Sequence, residues 1–548
     1  MWGPSHQHRP PPGGGRTREL VVLIVILTIA FELFTHRLAA HGAPGAASST
    51  LHTMLRLALA VAVGAIGWRV APFIRSLVRA RLPTRGDRLA RSADPARAVR
   101  EHVDALGGGA FLGLAGDGSW ASADREHAVL VLGPQRSGKT SAVVIPTLLG
   151  ASGAAVSTST KQDVLNATWS ARAGLGQVWL FDPTGAVHAP PSGTRLLSWS
   201  PVAAAPSWDA ALLIARAMAN AAHAGQGTTN ENHWRERSSA LLAPLLLAAN
   251  LAGLTVTDVV HWVLRHELDP AGSILDDHDE PVAGDVLAGI GKTEGRERSS
   301  ILSATAGVLS AYNARAARDA AARPNFDPAR FVGSTDTVYI AAPAHRQALS
   351  APLVVGLLEQ IRHAAYARTA SPSAPVLMCL DELANIAPIH DLPALVSEAG
   401  GQGLQVLACL QDLSQARQRW GESAADGLLS LFQTKLVLDG IADRRTLEAL
   451  SLSLGEYDRQ LVSHSLGRNR PQLLFSGDPG TSTESVSYST SRQRVLSPGE
   501  IASLPAGRGL LLRGTRWELV QLTPWHRTEP WRTLALKPTP ADLPRASE

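Results

Sequence analysis

The stretch 131–150, VLGPQRSGKTSAVVIPTLLG, constrains this chain more than any other. It begins apolar, passes Gly133 and Gly138, reaches Lys139 and Thr140, and turns apolar again with Pro146 near its end. The two glycines permit backbone turns that a side chain would block, so successive N–H groups can converge on phosphate oxygens at a helix N-terminus. The cradle comprises Gly133, Pro134, Gln135, Arg136, Ser137, Gly138, Lys139, Thr140 and Ser141. In such a motif the lysine faces the β- and γ-phosphates of ATP and the threonine hydroxyl ligates Mg2+. A Gly-rich surface turn could match by accident, but the preceding HAVLVLG supplies the strand that the motif requires. A partial copy, GIGKTEG, carries Gly291, Lys292 and Thr293, yet Val286 stands where its first glycine belongs and no apolar strand leads in. We read that copy as an ordinary loop.

A chain of 548 residues, 45% of them apolar, can hold two or three domains and a large core. Its net charge of +4 suits a nucleic-acid or membrane-surface partner without establishing either. The basic residues are nearly all arginine, the lysines being Lys139, Lys161, Lys292, Lys435 and Lys537. Cys379 and Cys409 sit in apolar, strand-like runs with no ligand spacing around them, which argues against a disulfide framework or a zinc site.

Two apolar runs near the N-terminus, 20–31 and 57–68, are each short for a span of about 20 residues; the second reaches 74 if Arg69 snorkels. Arg9, Arg16 and Arg18 precede the first run, and Arg75, Arg79, Arg81, Arg85 and Arg88 follow the second, while Arg37 is nearly alone between them. Such flanks predict two transmembrane helices with both ends in the cytoplasm, hence a plasma (inner) membrane protein with its nucleotide domain cytoplasmic. A cleaved signal peptide is the competing reading, and it would carry an ATP site away from ATP.

The pattern divides the chain as follows: a flexible cytoplasmic N-terminus at 1–19, an anchor at 20–82, a linker at 83–125 whose LGGGAFLGLAGDGSW reads as a small β element, a nucleotide-binding domain at 126–206 and 326–523, and a flexible tail at 524–548. The runs HAVLVL, GAAVST, QVWLFD, TVYIAAP, APVLMCLDE, LQVLACLQD and TKLVLDG are strand-sized, with helical patterns between most of them. That alternation predicts an α/β fold on a parallel sheet. Between 207 and 325 the texture becomes Ala/Leu-rich and helical throughout, an inserted all-α domain. RGLLLRG and RWELVQL predict a terminal hairpin, and the Ser/Thr-rich stretch 477–494 reads as a flexible loop.

A phosphate cradle needs an acidic partner strand, and VLMCLDELANI supplies one. Asp381 would anchor Mg2+ through water and Glu382 would polarise the attacking water. An isolated Asp-Glu pair is more often a solvated helix start, but this pair follows a buried-looking strand. Gln411 ends the next strand, where it would sense the γ-phosphate or else cap the following helix.

At these residues a resemblance becomes specific. GPQRSGKTSAVVIPTLL, STSTKQDVLNATWSARAGLGQVWLFDP, WSPV, LDELANIAPI and GLQVLACLQDLSQARQRWG resemble the type IV secretion coupling proteins, the TraG/TraD-type ATPases of conjugation. Pro146, unusual within a helix, is part of that family's wording. The resemblance implies a RecA-like P-loop ATPase, membrane-anchored and homo-hexameric, that passes single-stranded DNA with a bound relaxase to secretion channel components. It also implies Lys139 and Thr140 as Walker A residues, Asp381 and Glu382 as the Walker B pair, and Gln411 as the sensor. Relatives often carry an arginine in the turn before the sensor strand, acting on the neighbouring subunit's site; here that turn is AGGQG, with Gly400 at the arginine's place. Arg296, Arg298, Arg444 and Arg445 are substitute candidates. Two other readings remain: a related membrane-anchored double-strand DNA translocase or protein-secretion receptor, and a docking scaffold whose ATPase has decayed.

Overall fold

The protein is described by a computed structural model, covering residues 84–222, 229–368, 374–468 and 482–536. Both apolar N-terminal runs lie outside the described residues, and among those described no helix is long and apolar enough to cross a membrane.

Fourteen strands are present among the described residues: β1 (Gly108–Leu114), β2 (Trp120–Asp124), β3 (Val129–Leu132), β4 (Ala155–Ser159), β5 (Val178–Phe181), β6 (Arg195–Leu196), β7 (Thr337–Ala341), β8 (Val376–Leu380), β9 (Leu404–Leu410), β10 (Thr434–Leu438), β11 (Glu456–Arg468), β12 (Ser482–Arg494), β13 (Arg508–Arg513) and β14 (Arg516–Gln521). Twelve of them form one sheet in the order β2-β1-β14-β13-β10-β3-β9-β8-β4-β7-β5-β6. From β10 to β6 every pairing is parallel, and from β13 to β2 every pairing is antiparallel. The seven apolar runs read as strands are β3, β4, β5, β7, β8, β9 and β10. They are almost continuously apolar because a parallel sheet is covered on both faces. Alternation within β3 shows this: Leu130 and Leu132 enter one core cluster with Phe181, Ile214 and Leu246. Val129 and Val131 enter the other with Leu148 and Trp531.

Between β6 and β7 the described residues form helices and no strand, the longest being Thr229–Leu251. The partial motif at Gly291 falls at the C-terminus of helix Pro281–Gly291, with Lys292 as its C-cap. That is a helix end, without the strand-to-helix entry a phosphate site needs.

Three expectations of irregular structure are corrected. The segment 83–125 holds the expected small β element, strands β1 and β2, but is no separate linker: with helices Arg85–Ala90 and Pro95–Ala105 before them, those strands extend the main sheet through β14. The Ser/Thr-rich stretch is, from Ser482, a strand paired over its whole length with β11. The tail is docked as far as Leu536, because Trp531 is only 1% exposed and packs on Phe111 and Trp120 at ring distances of 4.9 and 4.8 Å.

A buried cation fastens the entries to β4 and β7. Arg172, on helix Asp163–Ala173, is 1% exposed. Its guanidinium donates to Thr337 Oγ1 at 2.7 Å and to the carbonyls of Ala151, Gly153 and Thr335 at 2.5, 2.7 and 3.1 Å. Burial lowers its pKa to about 10, so it remains charged at neutral pH. The turn before β9 is tight in another way. A Cβ on Gly400 would stand 2.2 Å from the Glu126 carbonyl oxygen, just upstream of β3. This chain therefore not only lacks an arginine there but has no room for any side chain.

Two outcomes follow from these contacts. Arg172→Met keeps volume but strips four buried acceptors of their donor, and it should cost roughly 3 kcal/mol, read as a lower Tm; an unchanged Tm would contradict the fastening role. Gly400→Arg should also lower Tm, whereas an equally stable variant would show that the turn has the space we deny it.

Candidate functional site: a phosphate loop bonded to a buried carboxylate

Chain leaves β3 at Gly133, whose N–H donates to the Leu410 carbonyl at the end of β9 at 3.2 Å. A Cβ on Gly133 would meet Ser137 Oγ at 2.6 Å and Leu438 Cβ at 2.9 Å, so only glycine fits this close approach. Arg136 and Gly138 take left-handed φ values of 65° and 97°. Left-handed residues beside right-handed ones turn consecutive N–H groups to one side, which makes a concave anion nest. Ser137 Oγ is buried there with no hydrogen-bond partner. An unsatisfied buried hydroxyl among inward-turned N–H groups fits a phosphate.

The helix that follows opens as a π-helical turn, Lys139–Val144, before the α-helical Ile145–Gly150. Pro146 explains the change of register. It has no N–H to give, and its ring crowds the carbonyl four residues back. The wider turn accommodates it, with the Ile145 N–H reaching the Thr140 carbonyl.

Lys139 is 6% exposed, and its ammonium donates to the carbonyls of Gly133 and Pro134 at 2.5 and 3.0 Å. Thr140 Oγ1 donates to Asp381 Oδ2 at 2.6 Å, joining the loop to the end of β8. Asp381 is itself 6% exposed. Burial pushes its carboxyl pKa up, against the Thr140 hydrogen bond and the Lys139 charge, which pull it down. Thr158 Oγ1 on β4 donates to the Asp381 carbonyl at 2.8 Å and fixes its backbone. Thr158 was not singled out from the sequence, although the hydroxyl run STST at a strand end was its signal.

Glu382 adopts a left-handed φ of 54°. Its N–H donates to Asp381 Oδ1 at 3.1 Å, and its Oε2 accepts from Asn385 Nδ2 at 3.4 Å. Asn385 is a second residue that sequence reasoning missed. Gln411 follows β9, which lies between β3 and β8. The helix-cap alternative for Gln411 falls away, since Asp412 caps helix Leu413–Trp420 and accepts from Ser414 N–H at 2.8 Å. The Gln411 N–H donates to Gln415 Oε1 at 2.9 Å.

The substitute arginines differ in freedom. Arg445 donates twice to Glu422, at 3.0 and 2.9 Å, and Arg444 once to Glu448 at 2.9 Å. Arg298 donates to the Gly291 carbonyl at 2.7 Å. Among the described residues no group of three or more His, Cys, Asp or Glu could hold a metal ion. A divalent cation would thus be held as Mg2+ usually is beside a nucleotide, by one or two protein oxygens, phosphate oxygens and water. Both cysteines are free and buried, and burial raises both thiol pKa values.

No curated protein sequence matches this chain. Among solved structures it is similar to the bacterial conjugative coupling protein TrwBdeltaN70 in its unbound monoclinic form, at 19% identity and a TM-score of 0.57, covering 75% of this chain and 88% of that one. The plasmid coupling protein TrwB in complex with ADP and Mg2+ is also similar, at 19% identity and a TM-score of 0.55, covering 73% of this chain and 85% of that one. TrwB with the non-hydrolysable GTP analogue GDPNP gives 19% identity, a TM-score of 0.55, and 73% and 86% coverage. At these identities the likeness establishes a shared fold. The family model for type IV secretory system conjugative DNA transfer matches residues 91–516, which is most of the sequence. The chain belongs to that family, the conjugative DNA transfer proteins of type IV secretory systems.

Proposed function

We propose that this protein is a P-loop ATPase that couples a DNA-protein substrate to a type IV secretion channel and drives the DNA through it. The observation that carries the reading is the Thr140–Asp381 hydrogen bond, which sets a phosphate cradle against a buried carboxylate within one sheet. The TrwB complexes with ADP and Mg2+ and with GDPNP support ATP and Mg2+ as the cofactors here.

Each site residue then has a task. The nest of residues 133–141 binds the β- and γ-phosphates through backbone N–H groups. Lys139 leaves the carbonyls of Gly133 and Pro134 and turns its charge on the phosphates. Thr140 and Asp381 would hold Mg2+ in place of their mutual hydrogen bond, and the cation would supply positive charge beside the phosphates. Glu382, positioned by Asn385, takes the proton of the attacking water. Gln411, on the strand between loop and acid, reads whether the γ-phosphate is present. The anchor is assigned to residues 20–82 on their apolar runs and arginine flanks, and the working form is a homo-hexamer.

Lys139→Ala tests this reading. One cation aimed at charge that develops in the transition state is worth about 10²- to 10³-fold in rate. ATP turnover, measured with and without single-stranded DNA, should therefore fall by at least about 10²-fold in both conditions. Turnover at the wild-type rate would remove the phosphate-loop assignment. Wild-type turnover that single-stranded DNA does not stimulate would remove the motor.

A further inference from the structure

Three elements border a cavity of about 100 Å³: helix Trp208–Ala222, helix Gln347–Tyr366, and the turn before helix Leu392–Glu398. Its polar walls are Arg216 and Asn220 from the first helix, Glu359 and Arg362 from the second, and His390 and Asp391 from the turn. Residues three or four positions apart share a helix face, so each helical pair looks into the same space. None of the six belongs to the phosphate site. The volume holds a few waters or one oxyanion of carboxylate or phosphate size.

Both carboxylates on the walls have a donor of their own. Glu359, 8% exposed, accepts from Arg362 Nε at 3.2 Å and from Arg362 Nη2. His390 Nδ1 donates to Asp391 Oδ1 at 2.9 Å. That hydrogen bond, helped by the charges of His390, Arg216 and Arg362 and opposed by partial burial, holds the Asp391 carboxyl below its ordinary range. The donors on the first helix are not served in this way. The Arg216 guanidinium has no hydrogen bond or ion pair to a described residue. Asn220 is only 7% exposed, yet its side-chain amide has no hydrogen bond to a described residue either. A buried amide without a partner is costly, and asparagine gives a helix interior nothing that leucine would not give better.

The unpaired groups that face the cavity are therefore two neighbouring donors, one of them a full positive charge. We propose that this cavity is an oxyanion site, in which Arg216 and Arg362 meet a carboxylate or phosphate group and the Asn220 amide donates to one of its oxygens. A planar guanidinium matches either group through paired N–H donors. The occupant joins the first helix after β6 to the chain that follows Glu382, since His390 lies only eight residues beyond it. Free phosphate and a protein carboxylate share this chemistry, and the assignment does not depend on the ATPase reading.

The test uses the full-length protein with its phosphate loop filled by Mg2+ and a non-hydrolysable ATP analogue. Inorganic phosphate and acetate are the probes, each compared with sodium chloride at equal ionic strength. Salts excluded from protein surfaces raise Tm generally, so only a saturable rise counts. The wild type should show one with at least one probe. Arg216→Ala should weaken that probe about tenfold or more, the size expected for hydrogen bonds to a charged group. Asn220→Leu keeps the side chain's size and removes the unpaired amide, so its Tm without probe should equal or exceed that of the wild type while the saturable rise is lost. A response to phosphate alone assigns the cavity to free phosphate, and a response to acetate assigns it to an acidic group of a protein. No saturable response in the wild type, or one that both variants keep, overturns the proposal and leaves the cavity to water. If the ATP analogue fails to bind, the ATPase reading falls by itself; the two variants still decide this site, because phosphate held in the loop is indifferent to Arg216 and Asn220.

Discussion

Everything at the phosphate site depends on the parallel pairing of β3, β9 and β8. Leu132 lies opposite Leu410, and Leu380 lies opposite Ala408, so three chain segments leave the sheet side by side at the same end. Those segments begin with Gly133, Gln411 and Asp381. Thr140 and Asp381 are 241 positions apart in sequence, yet one hydrogen bond of 2.6 Å joins them. A one-residue slip of β8 would turn its side chains to the opposite faces and carry Asp381 away from Thr140. The register in turn is fixed by burial, since every residue of β3, β8 and β9 is buried.

Buried cations serve the fold in different ways. Lys139 and Arg172 are nearly as inaccessible as each other, but Arg172 spends its guanidinium on four structural acceptors. Lys139 rests on two carbonyls of the very loop it would serve, so its bonds can be exchanged locally for phosphate oxygens. Lys435 resembles Arg172 in capping carbonyls, here those ending a helix.

The parallel strands, and the two segments that meet at the Thr140–Asp381 hydrogen bond, were legible because each couples an apolar run to a short polar signal at its end. The antiparallel flank was harder to read. GGAFLGL and WASAD in β1 and β2 carry glycine, alanine and serine where strand formers are expected, so local composition suggested a linker with a small β element, while tertiary pairing with β14 makes them part of the main sheet. The β11–β12 ribbon hid behind serine and threonine for the same reason. The tail was misjudged on its position in the chain: PWHRTEPWRTL has two tryptophans too large to leave in water, and Trp531 is buried. Asn385 and Thr158 act on the site through Glu382 and the Asp381 backbone, contacts between residues that only the folded chain brings together or orients.

In the proposed division of labour Thr140 and Asp381 hold the cation and Glu382 serves chemistry alone. The direct measurement is the affinity for a non-hydrolysable ATP analogue with and without Mg2+, by calorimetry, for Asp381→Asn and Glu382→Gln. Asp381→Asn should lose the Mg2+-dependent gain in affinity and keep the Mg2+-free affinity, while Glu382→Gln should bind as the wild type does in both conditions. Equal losses of Mg2+-dependent affinity in the two variants, or none in Asp381→Asn, would contradict it.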